Sequence, residues 1–327
     1  MPVIIDSPDW TAVQLLSDTN GIGSWQSGPN LPNPTNSGGG LIHGNFIYVV
    51  GGNVSSTPSN LVLMAPINQD GTIGAWVATT PLPATFTQGA VTSFNGFIYV
   101  IGGQRPGGIS AQIWAAPFNP DGTIGAWTVI APLPSTLQNH QAICASGFMY
   151  VVAGFNGTGF VTTVISAPIN PDGTIGAWTA TAALPNANAS FGLVNYANRL
   201  FVIGGQGTIA SSGAYLGSVV LSAPITVNGT LGAWVSVTGI PENRFAMQCA
   251  VLNGAIYVMG GQNNYLPTGG VYYARVNSDG TINSWTVATP LPTSVLNGIG
   301  CALNGAIYVI GGSQGLGLQA QTFYGLI

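Results

Sequence analysis

The stretch Phe97-Ile98-Tyr99-Val100-Ile101-Gly102-Gly103 decides the fold, because the chain writes it six times with small variations. The other copies lie at residues 47–52, 149–154, 200–205, 256–261 and 307–312. Their aromatics, Tyr48, Tyr99, Tyr150, Phe201, Tyr257 and Tyr308, are separated by 51, 51, 51, 56 and 51 positions. A fixed period of this length marks a repeat architecture. A second motif, Asp-Gly-Thr-Ile-Gly-Ala-Trp in its fullest form, places Trp25, Trp76, Trp127, Trp178, Trp234 and Trp285 at the same steps.

Within a unit the local chemistry is β throughout. A run at residues 90–94 leads into Asn95-Gly96, the dipeptide that best supplies the positive φ angles of a two-residue hairpin. The next run, 97–101, is apolar on both faces, as a strand buried between neighbouring sheets should be. After Gly102-Gly103 come a polar loop, a third strand at 112–118, an Asp121-Gly122 hairpin and a fourth strand around Trp127. Leu133-Pro134 ends the unit, since proline cannot continue a central ladder. Each unit is expected to be a four-stranded antiparallel meander.

Six such sheets cannot each bury two faces alone, but packed radially they bury one another, which gives an all-β, six-bladed β-propeller. The chain ends support a ring. Each aromatic precedes its Trp by 28 residues, or 33 in the fourth unit, so Tyr308 would need a Trp beyond Ile327, while Trp25 has no upstream partner in this register. The N-terminal fourth strand thus completes the C-terminal blade. Residues 1–327 read as one propeller with a tail at 1–9, closing strands at 10–28 and repeats starting near 38, 89, 140, 191, 247 and 298. Third-strand sequence occurs seven times, because both 10–16 and 321–327 suit the slot that 61–67 fill in the first unit. The surplus copy is expected as an outer edge strand on its own propeller, with self-association by pairing to a neighbouring molecule as the alternative.

Composition narrows the partners. Of 327 residues 46% are apolar and only 4% charged, with four arginines, no lysine, eight acidic side chains and a net charge of −4. An ordinary soluble domain carries about 25% charged residues. Solubility must come from Ser, Thr, Asn, Gln and Gly, or a partner must cover much of the surface. The low hydrophobicity and high net charge that keep chains disordered are both missing. Nucleic acid is disfavoured, because phosphate binding needs clustered cations and Arg105, Arg199, Arg244 and Arg275 are scattered. No apolar run approaches the 18 or so residues of a membrane span, so no membrane insertion is expected. The opening Met1-Pro2-Val3-Ile4-Ile5-Asp6 lacks the basic start and apolar stretch of a secretory signal.

Hydrophobic strand, aromatic, Gly-Gly, polar loop, a Trp about 28 residues on and Leu-Pro before the next unit together resemble the kelch repeat, over essentially residues 10–327. The resemblance implies the propeller fold. It leaves activity open, because kelch propellers include partner-binding scaffolds, sugar-acting enzymes such as sialic acid mutarotases, and copper-containing galactose oxidases. The chain departs from the usual repeat in lacking most charged residues; only Arg244 sits near where kelch units often carry an arginine entering the first strand.

The residues that carry chemistry are few. Asp18, Asp70, Asp121, Asp172 and Asp279 occupy one hairpin turn in different blades, and Asn228-Gly229 replaces the motif in another. Interchange of Asp and Asn before Gly is what a turn requires. A copper or zinc site needs convergent ligands, and the two histidines, His43 and His140, belong to opposite faces, so no cofactor or metal is expected. His140 reads as a hydrogen-bonding surface residue. Cys144, Cys249 and Cys301 fall on first strands near the axis and read as buried free thiols. With so few titratable groups, stability is expected to vary little between about pH 5 and 8.

What remains is a polar set on the face shared by the fourth-to-first and second-to-third connections. It comprises Arg105, His140, Tyr215, Glu242, Arg244, Asn263, Asn264 and Tyr265, with Phe155 and Phe160 nearby. Neutral amides beside aromatic rings suit hydroxyl-rich ligands, and the insertion at 209–215 breaks the ring symmetry where specific recognition would most cheaply arise. Glu242 and Arg244 read as a local ion pair. The leading expectation is a non-catalytic recognition or structural propeller on an exposed assembly, such as a virion, appendage or cell surface, that contacts a glycan or a protein. The alternatives are a sugar-acting enzyme resembling the mutarotase branch, with Glu242, Arg244, Arg105 and His140 around an axial pocket, and a purely structural self-assembling subunit.

Overall fold

The computed structural model describes residues 21–208, 213, 216–263, 266–315 and 317–327. Six four-stranded antiparallel sheets make up the body. Blade 2 is representative: Ala90–Phe94, Phe97–Ile101, Ile113–Pro117 and Thr128–Ile130 run from the axis outward. The first strands of the other blades are Gly39–His43, Gln141–Ala145, Gly192–Tyr196, Gln248–Leu252 and Ile299–Leu303. These innermost strands touch one another in a closed circuit, each against the blade before and the blade after, with the sixth returning to the first. The architecture is an all-β propeller. Among the described residues no helix is long and apolar enough to cross a membrane.

Turn chemistry sets the strand pairing. Asn95 and Gly96 take φ of 49° and 80°, the left-handed pair a two-residue hairpin needs, and Phe97 then pairs with Phe94. At the other hairpin, Asp121 Oδ1 accepts from the Thr123 amide at 2.9 Å and its hydroxyl at 2.6 Å. Asp70, Asp172 and Asp279 repeat the arrangement, and Asn228 provides it in blade 4. These carboxylates are turn-formers, which is why an amide substitutes for one of them.

No blade has a core of its own. Each of the six hydrophobic clusters is shared by two adjacent blades, including one between the sixth and the first. The second-strand aromatics Tyr48, Tyr99, Tyr150, Phe201, Tyr257 and Tyr308 are fully buried in these seams. Tyr48 donates its hydroxyl to the Gly122 carbonyl of the next blade at 2.5 Å, and Tyr308 to that of Gly71 at 3.0 Å. Burial of an aromatic side chain contributes roughly 2–3 kcal/mol, so the repeated Tyr is a main source of cohesion between blades.

The last blade is assembled from both ends. Its strands are Ile299–Leu303, Ala306–Ile310, Thr322–Leu326 and, outermost, Trp25–Ser27. Of the two segments with third-strand sequence, the C-terminal one fills the slot: Tyr324 stands opposite Tyr308, and Trp25 opposite Gly325. Gly325 occupies the place of Ala65 in blade 1, and a Cβ there would lie 2.5 Å from Ile22 Cγ2. The other segment, 10–16, lies outside the described residues.

Candidate functional site

Just before each first strand the backbone turns through a left-handed residue: Ser37, Gln88, Asn139, Ser190, Ala246 and Asn297, with φ between 51° and 57°. Each donates its N–H to the carbonyl of the equivalent residue one blade earlier, from Gln88 to Ser37 (2.9 Å) around to Ser37 and Asn297 (3.0 Å). Six bonds therefore close a belt around the axis. Left-handed φ is disfavoured for residues with a side chain, and the inter-blade bond offsets that strain. The repeat register contains the signal, a column of small or amide residues at the 51- and 56-residue steps, but their mutual bonding depends on ring closure.

Inside the belt lie two contiguous cavities. The outer one, about 290 Å³, is rimmed by Ser37, Gln88, Asn139, Ser190 and Asn297 together with Gln206 and Gln262, and walled partly by Phe245 and Leu296. The inner one, about 390 Å³, runs between the first strands past residues such as Val91, Ile143 and Leu193. Among the described residues no Asp, Glu, Lys or Arg lines either cavity. The mouth therefore offers amide and hydroxyl hydrogen-bonding groups beside apolar carbon, without a formal charge. Cys144 and Cys249 border the inner cavity, and burial pushes both thiols up to about 12, which keeps them protonated and poor nucleophiles. Cys301 is likewise free and raised to about 12.

His140 borders the outer cavity but is not the surface residue its position suggested. It is 1% exposed, and its ring lies against Gly102, where a Cβ would be only 2.8 Å from Cε1. Neither ring nitrogen has a hydrogen-bond partner. Desolvation lowers its pKa to about 4, with the Ile101 backbone opposing the shift only in part, so the ring is neutral at pH 7. Stability cannot then be flat down to pH 5, because the unfolded chain protonates this group and the folded one does not.

The remaining polar candidates lie away from the axis. Arg105 is buried behind the second-to-third loop of blade 2, with its guanidinium 3.5 Å from the centre of the Trp114 ring and 5.9 Å from that of Phe86. It donates to the Gly102 carbonyl at 3.1 Å and to the Gln112 carbonyl and side chain at 2.8 Å each. Burial lowers its pKa to about 10, so it stays charged with no acidic partner among the described residues, held by carbonyls and aromatic faces.

Arg244 is fully buried in the seam between blades 4 and 5; it pairs with Glu242 and donates to the Gly260 carbonyl at 2.7 Å. The Tyr272 hydroxyl donates to the same Glu242 oxygen at 2.6 Å. Burial alone would raise the Glu242 pKa, but the hydrogen bond from Tyr272, the Arg244 charge and bonds from Arg244 and Asn263 outweigh it and hold the carboxylate ionised. Glu242, Arg244 and Asn263 thus form one local network. Arg105, His140 and that network occupy three separate places, and of these groups only His140 and its neighbours face the axial cavity.

Phe155 and Phe160 pack edge to face at 6.1 Å on the blade 3 loop, with Phe160 41% exposed. Tyr215, Asn264 and Tyr265 lie outside the described residues. Among the described residues no three His, Cys, Asp or Glu side chains are grouped to hold a metal ion.

No family model matches the chain. Among curated proteins it is similar to Kelch-like protein 23 of Mus musculus, 27% identical over 281 residues, and to the human protein of that name at 26%, covering 85% of this chain and 46% of each relative. It is 21% identical over 309 residues to Kelch-like protein terF of Aspergillus terreus, covering 89% of this chain and 64% of that one. The chain thus spans about half the length of the Kelch-like protein 23 relatives. Among solved structures it superposes on one titled "Structure of YjhT" with a TM-score of 0.70 and 18% identity, over 90% of this chain and 95% of the other, a likeness of fold. Six co-registered repeats, sheets closed into a ring and relatives matched along most of the sequence agree: the chain is a β-propeller whose repeats are similar to those of kelch-like proteins.

Proposed function

We propose that this propeller is a recognition module that binds a neutral partner, a glycan or a protein segment, at the axial mouth. The carrying observation is the belt. At Ser37, Gln88, Asn139, Ser190 and Asn297 the backbone N–H and carbonyl are engaged between blades, while the side chains rim a cavity. Amide and hydroxyl groups without formal charge match hydroxyls and peptide groups better than ions, and the apolar contribution of Phe245 and Leu296 suits a sugar face or an aliphatic side chain. The scarcity of charge and the absence of lysine support a place on an exposed assembly such as a virion, an appendage or a cell surface.

The test is binding of the full chain to a neutral glycan array and a peptide array, repeated with the double substitution Gln88→Ala and Asn297→Ala. The expected result is a set of neutral ligands whose affinity falls at least tenfold in the variant. Equal binding by both proteins, or no ligand on either array, would refute the reading.

A further inference from the structure

The mouth is not six-fold in its chemistry. Its belt runs in the order Ser37, Gln88, Asn139, Ser190, Ala246 and Asn297, and Ala246 breaks the run of hydrogen-bonding side chains. The residues just before them repeat the break: Asn36, Thr87, Gln138 and Ala189 are polar or small, whereas Phe245 and Leu296 are large and apolar. Both line the outer cavity, partly exposed. They flank Ala246, because Asn297, the neighbour of Leu296, donates its N–H to the Ala246 carbonyl at 3.0 Å. An apolar sector centred on Ala246 thus interrupts a ring of amides and hydroxyls.

The belt also limits what can fill the mouth. Each belt residue has its N–H and carbonyl engaged with the adjacent blades, so a peptide finds no free main-chain edge there to pair with. A peptide also carries its hydrogen-bonding groups along a line, whereas these side chains surround the cavity. A pyranose carries hydroxyls around its perimeter, each both donor and acceptor, which amides and hydroxyls can serve in either sense. A carboxylated sugar would meet no counter-charge among the described lining residues. The apolar sector disfavours the hydroxymethyl group of an ordinary hexose, whose hydroxyl would lose water and gain no partner. A methyl group in the same place gains apolar contact instead.

On the reading that the mouth is the binding site, we infer that its ligand is a neutral deoxyhexose, a sugar in which a methyl replaces the hydroxymethyl group. Its hydroxyls meet the side chains of the polar belt residues, and its methyl lies against Phe245, Ala246 and Leu296. Ala246 then sets the specificity. It takes φ of 52°, a conformation in which asparagine is favoured over alanine, as Asn139 and Asn297 illustrate in the same belt. Ala246→Asn therefore completes the polar ring and suits the backbone.

Titration calorimetry of the full chain with methyl glycosides tests this. Deoxyhexosides of the galacto, manno and gluco series, in both enantiomeric forms, are each compared with the hydroxymethyl parent and the N-acetylated counterpart. The expected result is one deoxyhexoside that binds about tenfold or more tighter than its parent, the selectivity that one apolar group confers. That gap closes in Ala246→Asn, whose thermal midpoint is not lowered, and binding is lost in the Gln88→Ala, Asn297→Ala double variant. A parent or N-acetylated sugar bound as well or better, or a preference that survives Ala246→Asn, overturns the inference and leaves the mouth as the binding site. Peptides that bind there in place of any glycoside do the same. A deoxyhexoside bound equally by wild type and the double variant refutes the mouth itself.

Discussion

The indole Nε1 of Trp25 donates to the carbonyl oxygen of Thr289 at 2.9 Å, across 264 positions of sequence. The Thr289 hydroxyl returns a bond to the Ile22 carbonyl at 2.6 Å. The same indole bond joins Trp76 to Pro29, Trp127 to Thr80, Trp178 to Pro132, Trp234 to Ala182 and Trp285 to Thr238, each tying a blade to the one before it. At Trp25 the bond also closes the circle, because no hairpin connects this strand to its blade.

Trp25→Ala is therefore expected to cost about 1–2 kcal/mol, for the lost hydrogen bond and the part of the indole that is packed. It should also release the N-terminal segment, whereas in Trp127→Ala the fourth strand stays tethered by its hairpin. Limited proteolysis followed by mass spectrometry checks this: faster cleavage near residues 21–34 is expected for Trp25→Ala and not for Trp127→Ala.

His140 predicts an acid-dependent loss of stability. Its folded pKa of about 4 lies below the ordinary 6.5, so the unfolded state binds the extra proton between those values. Stability is full above pH 6.5 and falls as the pH drops towards 4, by about 2 kcal/mol at pH 5. Thermal midpoints measured from pH 7.5 to pH 4.5 should decline in the wild type and be nearly level in His140→Leu over that window. The turn aspartates, whose pKa values are lowered by their Thr partners, lose their contribution only at lower pH, through the carboxylate range.

Arg105 predicts a structural defect without a binding defect. Arg105→Ala removes the donors to Gly102 and Gln112 and empties the space beside Trp114, at a cost of about 3 kcal/mol. Arg105→Lys should lie between, since an ammonium cannot reproduce the planar fork or the stacking. Urea unfolding midpoints give the comparison, and affinity for a mouth ligand should be unchanged in whichever variant remains folded.

Asp121 distinguishes a turn-former from a catalytic acid. Asp121→Asn keeps the acceptor for the Thr123 amide and hydroxyl and should match the wild type in thermal midpoint, as Asn228 already does in blade 4. Asp121→Ala removes the acceptor and should melt lower. An Asn variant as destabilised as the Ala variant would show that the charge itself matters there.

The sequence by itself determined the repeat, its strands and its closure. Asn95-Gly96 and Asp121-Gly122 code their turns through their own backbone preferences, the all-apolar run 97–101 requires sheets on both faces, and the repeat register pairs the unmatched Trp25 strand with the blade of Tyr308. These features are local or periodic, so one dimension records them. Only the tertiary structure decided which of two third-strand segments fills the last blade, where Gly325 is the residue that fits beside Ile22. It also buried His140 against Gly102, enclosed Arg105 between Phe86 and Trp114, and joined six left-handed residues into a belt. Each of those depends on what the adjacent blade presents across the seam, a contact set by the radius and closure of the ring that no single repeat encodes.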